Sequence, residues 1–281
     1  MQTISAETAP TALDRTPPTE AQQPRSRRFR SMRVIMALIM RETGSRETRT
    51  SLGFLWTFID PLISILILAL TFSIVQRTPP LGTNFQLYYV TGVLPFHLYS
   101  HVASRVAGSV RFSGNLLGFP SVTVVDVLVS RFLLNVFTNC LVFVMAVYAT
   151  IHFYGLRMNP DVYGIMLSLG MAAALGLGVG TMNSVLFLWS SAYESLWSYI
   201  NRPMSLLAGV MFPISQLPDS VYSYLKWIPM THFVTAMRAA FYPSVDDRFV
   251  SPYYVLVIAA VAFVIGLIGL HRYVFDFLEK R

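Results

Sequence analysis

Lysine, cysteine and acidic residues are scarce in this chain of 281 residues. A P-loop ends in Gly-Lys-Ser or Gly-Lys-Thr, but the two lysines present, Lys226 and Lys280, follow leucine and glutamate. The single cysteine, Cys140, excludes an internal disulfide. No Gly-x-Ser-x-Gly motif occurs either. The sequence therefore excludes nucleotide binding through a P-loop and shows no signature of catalysis.

Apolar residues are abundant and fall in long runs. They make up 54% of the chain against 12% charged residues, with a mean hydropathy of +0.54. A helix needs about twenty residues to cross roughly 30 Å of hydrocarbon. Six runs reach about that length, so we expect an all-α membrane protein with six transmembrane helices. The runs are approximately 54–75, 87–105, 126–151, 162–188, 196–213 and 253–274.

The N-terminal residues lack the apolar core of a secretory signal. We expect residues 1–30 to form a disordered cytoplasmic tail and residues 31–281 to form one membrane domain. Cytoplasmic segments retain Lys and Arg. With six spans and both termini in the cytoplasm, 16 of the 21 Lys and Arg residues lie on that side. This bias also accounts for the net charge of +7 without nucleic acid as a partner.

Two segments on the predicted cytoplasmic side are neither spans nor ordinary loops. Met32 to Arg41 has its arginines near one helical face and apolar residues around the rest, as an amphipathic interfacial helix does, and it is either a lipid anchor or part of a gate. Residues 105–126 are too polar to cross and too apolar for an ordinary loop. Within them, Asn115 to Phe119 predicts a short helix that docks in a partner's groove or packs on its own subunit.

On the opposite side, residues 213–252 are aromatic-rich and interrupted by prolines. Long structureless loops are rare. We expect short helices at Leu217–Trp227 and Thr231–Tyr242, forming either a re-entrant hairpin between spans five and six or an external cap. The fourth span carries small residues at four-residue spacing, Ala172, Gly176 and Gly180, which favour close packing within one subunit over a dimer contact.

Few ionisable groups lie within the spans. His97 and His101 are spaced i, i+4 but have no acidic or cysteine ligand nearby, so hydrogen bonding to neighbouring helices is favoured over a metal site. Asp60 is the main intramembrane acid. A chain of acids and histidines suited to proton-driven transport is missing, which indicates an energy source outside this polypeptide. A membrane-embedded transferase acting on lipid-linked sugar would depend on Asp60, His97 and His101.

Motifs along the chain resemble those of ABC-2 type permeases, in particular the capsular polysaccharide export branch. They cover the chain from about residue 30 to its C-terminus. The matching residues are Arg41-Glu42, Arg46, Thr50, Leu52 to Trp56, Asp60-Pro61, Asn115 to Leu117, Phe119-Pro120, Pro203, Gly209, Phe212-Pro213, Leu217-Pro218, Pro229 and Arg238.

The resemblance implies a homodimeric permease with two copies of a separate ABC ATP-binding subunit, which binds ATP and Mg²⁺, while this chain carries no cofactor. It implies export of lipid-linked capsular polysaccharide across the bacterial inner membrane, towards a periplasmic copolymerase and an outer-membrane channel. O-antigen, teichoic acid or a small molecule is the alternative substrate. Two sets of residues follow from the resemblance. The coupling set is Arg111, Asn115, Leu116, Leu117 and Phe119, and the entrance set is Arg41, Arg46, Arg49 and Asp60.

A channel for a sugar polymer should offer aromatic faces, over which a polymer slides, and a few hydrogen-bond donors. Aromatic residues at the ends of spans also form interfacial belts, which is the alternative role. The candidates for the channel are Phe54, Trp56, Phe58, Tyr88, Tyr99, Trp189, Tyr193, Trp197 and Tyr199.

Overall fold

The computed structural model describes residues 27–47, 59, 62–63, 66–67, 71, 79–114, 122–214 and 217–279. No strand occurs in these residues, and the all-helical class predicted from the sequence is confirmed. The helices are α1 Arg27–Glu47, α2 Phe85–Ala107, α3 Ser109–Phe112, α4 Val124–Tyr154, α5 Val162–Trp189, α6 Ser191–Leu207, α7 Asp219–Leu225, α8 Pro229–Phe241 and α9 Pro252–Glu279. The predicted tail lies mostly outside the described residues, as does most of the first predicted span.

Helix α5 is the centre of the protomer and packs against α2, α8 and α9. Glycines on α5 make these contacts close. A Cβ on Gly176 would lie 2.9 Å from the Tyr99 carbonyl of α2, and one on Gly178 would lie 2.2 Å from the Ala259 carbonyl of α9. The expectation that small residues of this span pack inside one subunit is therefore confirmed for the protomer.

Local signals fix where the long helices begin and end. The Thr123 hydroxyl accepts from the Asp126 amide, and the Asp126 carboxylate accepts from the Thr123 amide, a capping box that starts α4. Gly155 ends α4 in the left-handed conformation with φ 59°. The Asp161 carboxylate caps α5 by accepting from the Tyr163 and Gly164 amides.

Helix α6 begins and ends about five residues earlier than the predicted fifth span, 196–213. Its C-terminus is a Schellman turn in which the Val210 amide donates to the Ser205 carbonyl and the Gly209 amide donates to the Leu206 carbonyl. Gly209 adopts φ 77°, which the turn requires. The apolar residues after Gly209 therefore belong to the connection towards α7.

Two short helices, α7 and α8, follow at the positions predicted for the external segment. Three helices of the described part are long and apolar enough to cross a membrane: Val124–Tyr154, Val162–Trp189 and Pro252–Tyr273. The six-span arrangement and the re-entrant placement of α7 and α8 stay predictions.

Candidate coupling and transport sites

Charged side chains from four helices meet at the end of the protomer that is predicted to face the cytoplasm. We call them, with one aromatic residue, the inner ionic cluster: Glu42 of α1, Arg111 and Phe112 of α3, Arg131 of α4 and Glu194 of α6. The cluster lies where α2 leads into the predicted coupling segment. It therefore ties α3, which precedes that segment, to α1, α4 and α6.

Arg131 is the hub of this cluster. Its Nε lies 3.3 Å from Glu42 Oε2, and the side chains of the two residues are only 13% and 18% exposed. Its Nη1 donates to the Arg105 carbonyl at 3.3 Å, and its guanidinium lies 5.3 Å from the centre of the Phe112 ring. Because both charges are largely withdrawn from water, removing either one would leave the other poorly solvated. Arg131 thus links α1 to the end of α2 and to α3.

A second ion pair joins α3 to α6. Arg111 Nη1 donates to Glu194 Oε2 at 2.7 Å, and both side chains are close to half exposed. An ion pair of this exposure stabilises a fold by at most about 1 kcal/mol. The pair connects two elements relevant to coupling, because Glu194 lies in the first turn of α6 and Arg111 lies just before the predicted coupling helix.

The coupling residues predicted from the sequence are described only in part. Arg111 belongs to the inner ionic cluster, whereas Asn115, Leu116, Leu117 and Phe119 lie outside the described residues. Sequence reasoning did not assign roles to Arg131 and Glu194. A signal for Arg131 was present, because an arginine eight residues into a long apolar helix needs a partner.

The entrance residues predicted from the sequence divide in the same way. Arg41 is exposed on α1, and Arg46 lies in the last turn of that helix. Arg49 and Asp60 lie outside the described residues. Helix α1 itself is longer than the predicted Met32 to Arg41, because polar residues extend it at both ends without altering the apolar pattern.

A polar seam joins α6 to α2 and α5. Tyr193, Trp197 and Asn201 share one face of α6 at four-residue spacing. The Tyr193 hydroxyl donates to Asn183 Oδ1 of α5 at 3.3 Å, and the Asn201 amide donates to the Ser100 hydroxyl of α2. These hydrogen bonds hold α6 against α2 and α5.

Several buried polar atoms of this seam have no hydrogen-bond partner within the described protomer. They are Tyr99 Oη, Asn183 Nδ2, Trp197 Nε1 and Asn201 Oδ1. Buried polar groups in native proteins are almost always paired with protein or water. The seam is therefore suited to hold water between α6 and the body of the protomer.

The aromatic residues predicted to line a channel have different environments. Tyr88 and Tyr99 are fully buried, and the Tyr88 hydroxyl donates to the Met211 carbonyl at 3.0 Å. Trp189 is 87% exposed at the end of α5, and Tyr199 is exposed on α6 with Arg202 over its ring. Tyr193 and Trp197 are half-buried in the seam. Phe54, Trp56 and Phe58 lie outside the described residues.

The two histidines of α2 stack on each other, with ring centres 5.4 Å apart. His101 Nδ1 lies 3.0 Å from Asn139 Oδ1 of α4, an interhelical hydrogen bond of the kind the sequence favoured. Within the part of the chain that the structure describes, no group of three or more His, Cys, Asp and Glu residues is arranged to hold a metal ion.

Similarity to known proteins covers most of the chain. The family model described as "ABC-2 type transporter" matches residues 33–242. The capsule polysaccharide export inner-membrane protein CtrC of Neisseria meningitidis is 26% identical over 86% of this chain and 91% of its own length. The polysialic acid transport protein KpsM of Escherichia coli is 25% identical over 83% and 91%.

A third relative is named for a different export system. The O-antigen export system permease protein RfbA of Myxococcus xanthus is 25% identical over 74% of this chain and 80% of its own length. The family model covers most of α1, the inner ionic cluster, the α6 seam and α8. The chain therefore belongs to the ABC-2 type transporter family.

Proposed function

We propose that this chain is the membrane-spanning permease subunit of an ATP-driven exporter, which moves lipid-linked capsular polysaccharide from the cytoplasm across the inner membrane. The observation that carries the proposal is the similarity to CtrC, a capsule polysaccharide export inner-membrane protein, along 86% of this chain. The chain has six spans and both termini in the cytoplasm. It carries no nucleotide site and works with an ABC ATP-binding subunit that binds ATP and Mg²⁺.

The polarity of α6 supports a channel beside this helix in a homodimer. Ser195, Ser198, Tyr199 and Arg202 are exposed on α6 in the protomer. Arginine and serine are costly against lipid, so such a surface faces protein or a water-filled path. A second copy of the chain provides that environment, and Tyr199 then offers an aromatic face to sugar rings.

The position of the inner ionic cluster supports a path for coupling. In the proposed complex, Leu117 and Phe119 dock in the ATP-binding subunit, and movement of that segment reaches α6 through Arg111 and Glu194. Arg41, Arg46, Arg49 and Asp60 lie at the cytoplasmic entrance. Beyond the inner membrane, the polymer passes to a periplasmic copolymerase and an outer-membrane channel.

Co-purification tests the partner. A P-loop ATPase should accompany the wild-type chain after gentle detergent extraction, because the proposed docking of Leu117 and Phe119 buries an apolar contact between the two subunits. It should be lost when Leu117→Asp and Phe119→Asp are combined, since charge in an apolar groove is desolvated without a partner. Mass spectrometry of the purified material measures this directly.

The matched control is Tyr163→Asp, which places an acid on an exposed aromatic position at the opposite end of the protomer. This variant should retain the ATPase. If the wild type brings no ATPase under conditions that preserve other transporter complexes, or if the double variant keeps it, the proposed coupling contact is wrong.

Reversing the Arg111–Glu194 pair tests the coupling path. Arg111→Glu and Glu194→Arg should each reduce surface polysaccharide by about threefold to fivefold, because each replaces an ion pair worth up to about 1 kcal/mol by two like charges that push α3 and α6 apart. The double variant restores the pair and should recover export. Cell-surface polysaccharide at matched protein levels is the measurement.

The same exchange at Asp246 and Arg248 serves as the control, since this exposed pair lies at the other end of the protomer. It should leave export unchanged. Single variants of Arg111 and Glu194 that export normally, or a double variant no better than either single one, would contradict the coupling path.

O-antigen is the second candidate substrate, and the similarity to RfbA favours it. The two substrates are separated by deleting the gene in its native host and identifying the polymer that accumulates inside the cell. Retained capsular polysaccharide supports the first proposal, whereas retained O-antigen with normal capsule supports the second.

A further inference from the structure

A cavity of about 220 Å³ lies between α1, α3 and α4 beside the inner ionic cluster. It is below the roughly 300–1,000 Å³ of pockets that enclose drug-sized ligands, so it has room for a headgroup rather than a polymer. Arg41 and Phe112 of its wall are both exposed, so the cavity reaches the protein surface. Its lining residues are Leu38, Arg41, Glu42, Phe112, Ser113, Ser130 and Arg131.

The side chains that line the cavity carry a net charge of one positive unit. Arg131 is paired with Glu42 at 3.3 Å, and the two charges offset each other. Arg41 forms no ion pair with any of the residues that the structure describes. Ser113, a residue that is 7% exposed, adds a hydroxyl to the wall. A singly charged anion with oxygen acceptors matches this set better than a diphosphate does.

The orientation of α1 places the cavity at the level of lipid headgroups. Met32, Met36 and Met40 form a stripe at four-residue spacing and are 67%, 49% and 68% exposed. Leu38 and Glu42 lie on the opposite side of the helix and line the cavity. An amphipathic helix with one apolar side bare lies in the interface plane with that side among the acyl chains.

We propose that this cavity binds the phosphodiester headgroup of an anionic phospholipid from the cytoplasmic leaflet. The guanidinium of Arg41 binds the phosphate, and the Ser113 hydroxyl donates to one of its oxygens. The bound lipid bridges α1 to the segment that precedes the coupling helix. The inference rests on the orientation in the proposed function, but not on the identity of the exported polymer.

Native mass spectrometry of the full-length protein, titrated with phosphatidylglycerol in neutral detergent, tests the site. Arg41→Gln should weaken binding of the most tightly held lipid about fivefold, because one arginine near a membrane surface contributes about 1 kcal/mol to binding an anionic lipid. Arg41→Lys keeps the charge and should bind nearly as wild type. Arg248→Gln, at a side chain that is 92% exposed at the other end of the protomer, is the matched control.

Competitors identify the source of the phosphate. Inorganic phosphate at about 10 mM should not displace the lipid, and undecaprenyl diphosphate should not bind more tightly than phosphatidylglycerol. Displacement by inorganic phosphate would show a free-anion site, and preference for the diphosphate would show a carrier-lipid site. Either result overturns the proposal, as does equal binding of phosphatidylglycerol by the wild type and Arg41→Gln.

Failure here is separable from failure of the proposed function. The lipid titration uses this chain alone, whereas the ATPase contact and the exported polymer are measured in other experiments. A chain that retains its ATPase but shows no Arg41-dependent lipid refutes only the lipid site.

Discussion

Replacing Gly178 by leucine is expected to separate α5 from α9 and to stop most of the protein from reaching its folded state. The two backbones approach so closely that a Cβ on Gly178 would lie 2.2 Å from the Ala259 carbonyl oxygen and 2.9 Å from its carbon. These atoms belong to a helix backbone and cannot rotate away. Overpacking a filled site typically costs about 1–3 kcal/mol and occasionally more.

A graded series makes the test quantitative. Gly178→Ala should lower Tm in detergent by about 5 °C or more, since each kcal/mol corresponds to about 2–4 °C in chains near this size. Gly178→Leu should leave little monodisperse protein on size-exclusion chromatography. Both are measured with a fluorescent fusion at equal expression.

Gly170 provides the control on the same helix. A Cβ at that position would meet no atom within 4 Å, and the residue is exposed. Gly170→Leu should therefore fold as wild type, and its added helix propensity should help slightly. If Gly170→Leu and Gly178→Leu fail alike, the effect comes from leucine in this helix rather than from the contact with α9.

Long apolar runs in the sequence predicted the positions of the long helices α2, α4 and α5. The ends of α2, α4 and α5 lie within about three residues of the predicted spans 87–105, 126–151 and 162–188. Most residues of these helices are apolar, so composition alone gives their approximate position. Helix α8 also starts near its predicted position, because Pro229 suits the first turn of a helix.

Helix α6 shows why the rest could not be predicted. Its first turn contains Glu194, which partners Arg111 far away in the chain, so the polar start does not look like part of a span. At its other end, Val210 and Met211 extend the apolar run although the helix has already ended. The start of α6 is stabilised by a contact with a residue distant in sequence, which a local pattern does not record. Its end is a local Schellman turn at Gly209, which the longer apolar run obscures.

The candidate sites follow the same division. The sequence indicated the interfacial helix and the segment near Arg111 from local charge and polarity. The pairing of Arg131 with Glu42, and the cavity beside it, depend on how α1 packs against α4. Arg238 is one of the five Lys and Arg residues outside the predicted cytoplasmic side, and the structure buries it almost completely.

Arg238 holds the turn between α6 and α7 by a geometry that only a guanidinium fits. Its Nη1 donates to the Gly209 carbonyl and its Nη2 to the Val210 carbonyl, both at 2.6 Å. Its Cζ lies 4.3 Å from the centre of the Tyr88 ring. A planar fork reaches two neighbouring carbonyls at once, while an ammonium group reaches them only as a point charge. The left-handed turn at Gly209 is thus pinned by a residue from α8.

Arg238→Met should therefore destabilise the protein strongly while keeping most of the side-chain volume. It removes two donors and leaves buried carbonyls unpaired, at about 1–3 kcal/mol for each. Tm in detergent should fall by about 5 °C or more. Arg238→Lys should fall between the wild type and Arg238→Met, because it keeps the charge without the fork. Tyr88→Phe, which loses one hydrogen bond to the Met211 carbonyl, should cost only about 1 kcal/mol.

Arg248→Met is the matched control for this prediction, since the Arg248 side chain is 92% exposed and its removal should change stability by no more than about 0.5 kcal/mol. If Arg238→Met is as stable as Arg248→Met, the guanidinium does not hold the turn.

A substitution at Gly92 distinguishes the hydrogen bonds of the Arg238 guanidinium from a contribution of its burial alone. Gly92→Ala would place a Cβ 2.8 Å from Arg238 Nη2 and 2.9 Å from the Val210 carbonyl oxygen. Gly92→Ala should therefore lower the Tm of the wild type by more than it lowers the Tm of the Arg238→Met variant, in which the two hydrogen bonds of the guanidinium are already lost.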